Sequence, residues 1–95
     1  MSQQPERGQQ QGAGPGVDQL ERLVEYVAMG LVDRPEEVQV DSRRRGPHVT
    51  IHLRVAADEL GRVIGKQGRI AKALRTALGI AAAREGLYAN LEIED

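Results

Sequence analysis

The chain has 95 residues, 28% of them charged, a formal net charge of −1, no cysteine, two histidines and two aromatic residues. That length bounds it to one domain with a modest core and little room for a deep enzyme cleft. The cysteine count excludes a disulfide framework and a thiolate metal site, and two histidines need carboxylate help to hold a metal.

Residues Met1 to Gly16, "MSQQPERGQQQGAGPG", are almost without apolar content and rich in Gln, Gly and Pro. They read as a disordered tail, with the folded domain over 17–95. The N-terminus is too polar for a secretory signal, and no apolar run approaches the roughly 20 residues of a membrane span. A soluble, cytoplasmic domain is the expectation. Asp18 can open the first helix, with Glu21 three residues on as in a capping box. Leu20, Leu23, Val24, Val27 and Leu31 recur at three- and four-residue steps, and Gly30 and Pro35 end the pattern.

Strands follow. Val38 and Val40 alternate with Gln39 and Asp41, and then Val49, Ile51, Leu53 and Val55 alternate with His48, Thr50, His52 and Arg54. The stretch "RRRGP" between them reads as a hairpin turn, with Arg43, Arg44 and Arg45 solubilising its tip in preference to the alternative, that they extend a binding path. His48 and His52 fall on the polar face, as exposed strand residues rather than a ligand pair.

Asp58 and Glu59 suit a helix first turn. Leu60, Val63 and Ile64 give a short apolar face that stops at Gly65. After Gly68 a helix is predicted from Arg69 to Arg84, with Ile70, Leu74, Ala77, Leu78 and Ala81 on one face and Gly86 as its stop. Leu87, Ala89, Leu91 and Ile93 alternate as a last strand. The order is helix, strand, strand, helix, helix, strand, an α+β arrangement. The crossover through the helix pair makes its two flanking strands parallel if they are adjacent, and the hairpin before it is antiparallel. Three helices then cover one face of a mixed, three-stranded sheet.

Charge is unevenly spread. From Leu60 to Ala83 there are five basic residues, Arg62, Lys66, Arg69, Lys72 and Arg75, and no acidic one. Such a local field is a phosphate footprint even on a near-neutral chain. At its centre stands Gly65-Lys66-Gln67-Gly68. It is no nucleotide-triphosphate loop: the spacing from Gly61 is short by one, and Gln67 stands where the Mg²⁺-binding hydroxyl should be. No dinucleotide fingerprint is present either. What remains is helix–GxxG–helix. Its glycines permit close approach and positive φ, the next helix offers N–H groups, and Lys66 and Arg69 add charge. The alternative is a plain corner, with glycines for geometry and Lys66 and Gln67 for solubility.

"VIGKQGRIAKALR" (Val63 to Arg75) resembles the signature of the KH domain, and the element order resembles its type II arrangement. "LVDRPEEVQV" (Leu31 to Val40) and "LRVAADELGRVIGKQGRIAKALRTAL" (Leu53 to Leu78) are similar to the KhpA family of short bacterial single-KH-domain proteins. Ala71 departs from the wider superfamily, where an aliphatic residue commonly stands three positions after the second glycine. The resemblance implies a non-catalytic binder of single-stranded RNA, without cofactor or metal, clamping about four nucleotides of backbone. The site residues it implies are Ile64, Gly65, Lys66, Gln67, Gly68, Arg69 and Ile70, flanked by Arg62 and Lys72, with Leu74 as a further floor residue. It also implies RNA chaperoning, a link to cell shape and division, and pairing, either as a homodimer or with a larger KH-containing protein. The Ala-rich stretch from Ala77 to Ala83 suits close packing, against a second copy or against the chain's own sheet. The shortage of aromatics argues against RRM-type or OB-type stacking. No Ser/His/Asp or Cys/His set points to an enzyme.

Overall fold

The computed structural model describes residues 14–95. Of the tail predicted over Met1 to Gly16, residues 1–13 lie outside the described residues. Helix α1 (Gly14–Leu31) is followed by a short 3-10 turn (Pro35–Glu37), strand β1 (Gln39–Arg45) and strand β2 (His48–Arg54). A second 3-10 turn (Ala57–Glu59) leads into α2 (Leu60–Ile64), a third (Lys66–Gly68) into α3 (Arg69–Arg84), and β3 (Tyr88–Glu94) closes the order. This is the predicted α-β-β-α-α-β succession.

The sheet order is β1-β2-β3, with β2 in the centre. β1 and β2 pair antiparallel from Gln39↔Arg54 to Arg45↔His48, and β2 and β3 pair parallel from His48↔Tyr88 to Arg54↔Glu94. Side chains alternate across a strand, so this register sorts them into two faces. Val49, Ile51, Leu53 and Leu91 point inward and are buried under the helices, together with Val17, Leu20, Val24, Ala28, Val63, Leu74, Leu78 and Ala82. The other face carries polar residues and, among the described residues, no helix.

Three local differences from the sequence reading have physical causes. Helix α1 starts at Gly14 rather than at Asp18. Val17 is fully buried, and its burial draws the helix one turn further back than the capping pattern indicates. Proline at Pro15 is compatible with a first turn, whose N–H groups have no intrahelical partner. Next, Arg43, Arg44 and Arg45 are not the turn. They extend β1, and the turn is the two residues Gly46 and Pro47, with φ +60° at Gly46. Cross-strand pairing with Val49, Thr50 and His48 outweighs the low strand tendency of an arginine run. Finally, α3 is rotated from its expected face. Ala71, Leu74, Leu78 and Ala82 are the buried positions, and Ala77 is exposed. The helix packs on the sheet with its small residues, which allow close approach.

Candidate nucleic-acid interface

The helix–GxxG–helix corner is built by two glycines that do different work. Gly65 ends α2 with φ +80° and ψ 171°, a region essentially restricted to glycine. A Cβ there would stand 2.6 Å from Ile70 Cγ1 and 2.9 Å from Ile70 N. The absence of a side chain at Gly65 therefore lets the first turn of α3 fold back over the end of α2. Gly68, at φ +74° and ψ 14°, is left-handed but has open space around it. Gln67 between them is also left-handed, at φ 58°. Positive φ at Gly65, Gln67 and Gly68 turns the chain outward and leaves Lys66 and Gln67 exposed at the apex.

The backbone of the corner is partly spent on itself. Gly65 N–H donates to Gly61 O at 2.8 Å, Gly68 N–H to Gly65 O at 3.1 Å, and Arg69 N–H to Lys66 O. The N–H groups of Gly68 and Arg69 are thus engaged, whereas the sequence reading expected free N–H groups at the start of α3. What the corner leaves open to solvent is its side chains. Lys66, Gln67, Arg69 and Lys72 are exposed, and their side chains make no hydrogen bond or ion pair among the described residues. An ammonium or guanidinium group held in water without a partner is available to a phosphate at little desolvation cost.

Arg62 behaves otherwise. It reaches Asp33 twice, Nη1 to Oδ1 at 3.2 Å and Nη2 to Oδ2 at 3.0 Å. It ties α2 to the segment leaving α1 and is not aimed at the loop. Arg75 also has a protein partner: its Nε and Nη2 donate to Leu91 O, at 3.4 and 3.3 Å, across the outer edge of β3. Ile64 is half-buried and packs on the core. Ile70 is half-buried against Gly65 and shares an apolar depression with Val27, Leu31, Leu74 and Ala77, on the side of α3 that faces α1. The structure therefore brings Gly65 to Arg69 and Lys72 together on one surface, and sets Arg62, Ile70 and Leu74 to its flanks.

One contributor escaped the sequence reading. Glu59 is 4% exposed, and its carboxylate accepts Asp33 N–H at 2.6 Å and Arg34 N–H at 3.2 Å. It caps the exit of α1 from a position just ahead of α2. Arg34 bonds Asp58, and stands 3.7 Å from Glu59 and 3.5 Å from Glu37. Asp58 above all, then Glu37 and Glu59, raise the Arg34 guanidinium further above its usual range, against a smaller opposing effect of burial. This brace fixes the base of the loop corner. In sequence, Asp58 and Glu59 look like ordinary first-turn acids, and only a contact across 26 positions reveals the role of Glu59.

A mixed three-stranded sheet covered on one face by three helices, with a GxxG turn between the second and third, defines a KH-like fold. The family model KhpA/KhpB, KH domain, matches residues 21–93, and the chain belongs to that family. Among curated relatives, the RNA-binding protein KhpA of Halalkalibacterium halodurans is 45% identical over 76 residues, covering 80% of this chain and all of the relative. The RNA-binding protein KhpA of Treponema pallidum is 50% identical over 75 residues, covering 79% of this chain and 94% of the relative. A crystal structure of a variant of Era from Aquifex aeolicus, bound to GDP and AlF4−, superposes with a TM-score of 0.57 at 19% identity. It covers 80% of this chain and 30% of the Era chain, a likeness of fold.

Proposed function

We propose that this protein is a non-catalytic, cytoplasmic RNA-binding protein of the RNA-chaperone type that grips the backbone of single-stranded RNA with Gly65-Lys66-Gln67-Gly68. The carrying observation is the contrast in partners around the corner. Arg62 and Arg75 are engaged within the protein, whereas Lys66, Arg69 and Lys72 face solvent with no partner among the described residues, beside a backbone that only glycine allows. Phosphodiester contacts of that kind fix position without choosing sequence. The relatives named as RNA-binding proteins support the same reading.

The test is Lys66→Asp with Gln67→Asp. Two carboxylates at the apex turn attraction into repulsion, and binding to a short unstructured RNA, read by fluorescence anisotropy, is lost. Aspartate tolerates the left-handed backbone at position 67 and suits the start of a helix, so stability changes by less than about 0.5 kcal/mol. Wild-type affinity falls steeply with salt, since each phosphate contact releases counterions. A folded variant that binds as well as the wild type removes the loop from the mechanism.

A second reading rests on a different surface. Tyr26, Met29 and Ile80 are exposed at 81%, 44% and 59%, and Val27, Leu31, Ile70 and Ala77 line an apolar depression between α1 and α3. This strip favours pairing with a second copy or with a larger KH-containing protein, which would raise the avidity of a small groove. Sedimentation across a concentration series distinguishes a self-associating chain from a monomer, and a monomer leaves only the larger partner.

A further inference from the structure

The uncovered face of the sheet is strongly polarised. The register lays it out as cross-strand rows: Arg45, His48 and Tyr88; then Arg43, Thr50 and Asn90; then Asp41, His52 and Glu92; then Gln39, Arg54 and Glu94. The first two rows contain no acid. The last two hold Asp41, Glu92 and Glu94, with Arg54 bonded to Glu94 at 2.8 Å and His52 Nδ1 standing 3.6 Å from Glu92. In the basic half the arginines have no such partners. Arg43 and Arg45 are exposed, and their side chains make no ion pair or hydrogen bond among the described residues.

Between those arginines and the sheet edge lies a ring pair. His48 and Tyr88 stack with centroids 5.2 Å apart and planes inclined by 23°. Tyr88 is 66% exposed, so much of its ring remains open to solvent. Neighbouring cations and an open aromatic face on a sheet are what single-stranded nucleic acid needs: phosphates for the first, a base for the second. Tyr88 also connects two concavities. It lines a cavity along the β3 edge with Gly79, Ala83 and Asn90, and it touches His48, which lines a depression with Arg43, Arg45 and Thr50. The edge cavity lies beside the C-terminal half of α3, about 20 Å along that helix from the loop.

We propose that the open face carries a second contact for the same RNA strand, with a base on the Tyr88–His48 stack and flanking phosphates on Arg43 and Arg45. The strand leaves the loop past Lys72, follows α3 and crosses the edge of β3 at Tyr88. The acidic rows bound the contact on the side away from the hairpin turn. This proposal rests on the reading of the loop as an RNA clamp, and it replaces the view of the arginine run as a solubilising hairpin tip.

The experiment compares two unstructured RNAs on the full chain, one of about four nucleotides, which the loop alone accommodates, and one of about ten. Tyr88→Ala weakens the longer RNA about tenfold or more and leaves the shorter one within about twofold, while Tyr88→Phe, which keeps the ring, restores wild-type binding. Arg43→Ser with Arg45→Ser likewise weakens only the longer RNA, and lowers its salt slope by about two. Wild-type binding of the longer RNA by both variants, or equal loss of both RNAs, overturns the proposal. Lys66→Asp/Gln67→Asp on the same pair of RNAs tests the clamp separately. If that variant binds both as the wild type does, the loop reading falls, and the contrast between long and short RNA still reports on the sheet face. Tyr88, Arg43 and Arg45 are all exposed, and circular dichroism verifies that each variant is folded.

Discussion

Among the corners that turn on a glycine at positive φ, those at Gly46 and Gly65 are built in opposite ways. The hairpin turn at Gly46 and Pro47 has open space where a Cβ would go. It is held from outside by the β1–β2 ladder and by Tyr88 N–H donating to Pro47 O at 2.8 Å. The loop corner at Gly65 has Ile70 pressed onto it and an ion-paired, carboxylate-capped brace beneath it. Positive φ by itself therefore says only that the chain turns. Close packing at the glycine, and a rigid base under it, mark a corner whose shape is fixed from within.

The largest effect should come from adding one methyl group at each corner. Gly65→Ala forces both a glycine-only backbone and a collision with Ile70, and should cost about 3–5 kcal/mol in urea unfolding. Gly46→Ala meets only the left-handed penalty, about 1 kcal/mol. Equal costs would erase the distinction between the two corners. Next comes the brace. Glu59→Ala leaves the N–H groups of Asp33 and Arg34 without their acceptor, and the midpoint of chemical denaturation should fall by the equivalent of about 1–3 kcal/mol. A loss below that range would show that water replaces the carboxylate and that the loop base is held by packing alone. The smallest effect is a coupling. In a double-mutant cycle, Gly65→Ala combined with Ile70→Ala should cost less than the sum of the two single changes, by about 1 kcal/mol, because the shortened side chain relieves the collision. Strict additivity would mean that the backbone conformation, and not Ile70, makes the glycine necessary.

Legibility in the sequence followed the range of the interactions involved. Strict alternation from His48 to Val55 and from Leu87 to Ile93 marked β2 and β3, and the crossover rule then supplied their parallel pairing. The corner itself was visible because glycines and cations at fixed spacing are a local signal. The brace was not. Glu59 acts on residues 25 and 26 positions away, and nothing in its neighbourhood distinguishes it from a solvated helix-start acid. The rotation of α3 was hidden for a related reason. Alanine carries little hydrophobic weight in a periodicity argument, yet Ala71 and Ala82 are buried while the heavier Ile80 is exposed. The arginine run was misplaced because three charges beside a Gly-Pro pair look like a turn, whereas the register with His48, Val49 and Thr50 is a tertiary fact.

The outer edge of β3 has a consequence for how copies of this chain behave at high concentration. An edge strand offers unpaired backbone groups to any passing strand, and unchecked edges lead to aggregation. Here Arg75 occupies the Leu91 carbonyl in the middle of that edge, and Glu92 and Glu94 place negative charge beside it. A second β3 approaching edge to edge would have to displace the guanidinium and bring like charges together. The arginine that sits beside the loop's cations without joining them thus acts as a guard for the sheet, and keeps an open edge from becoming a template.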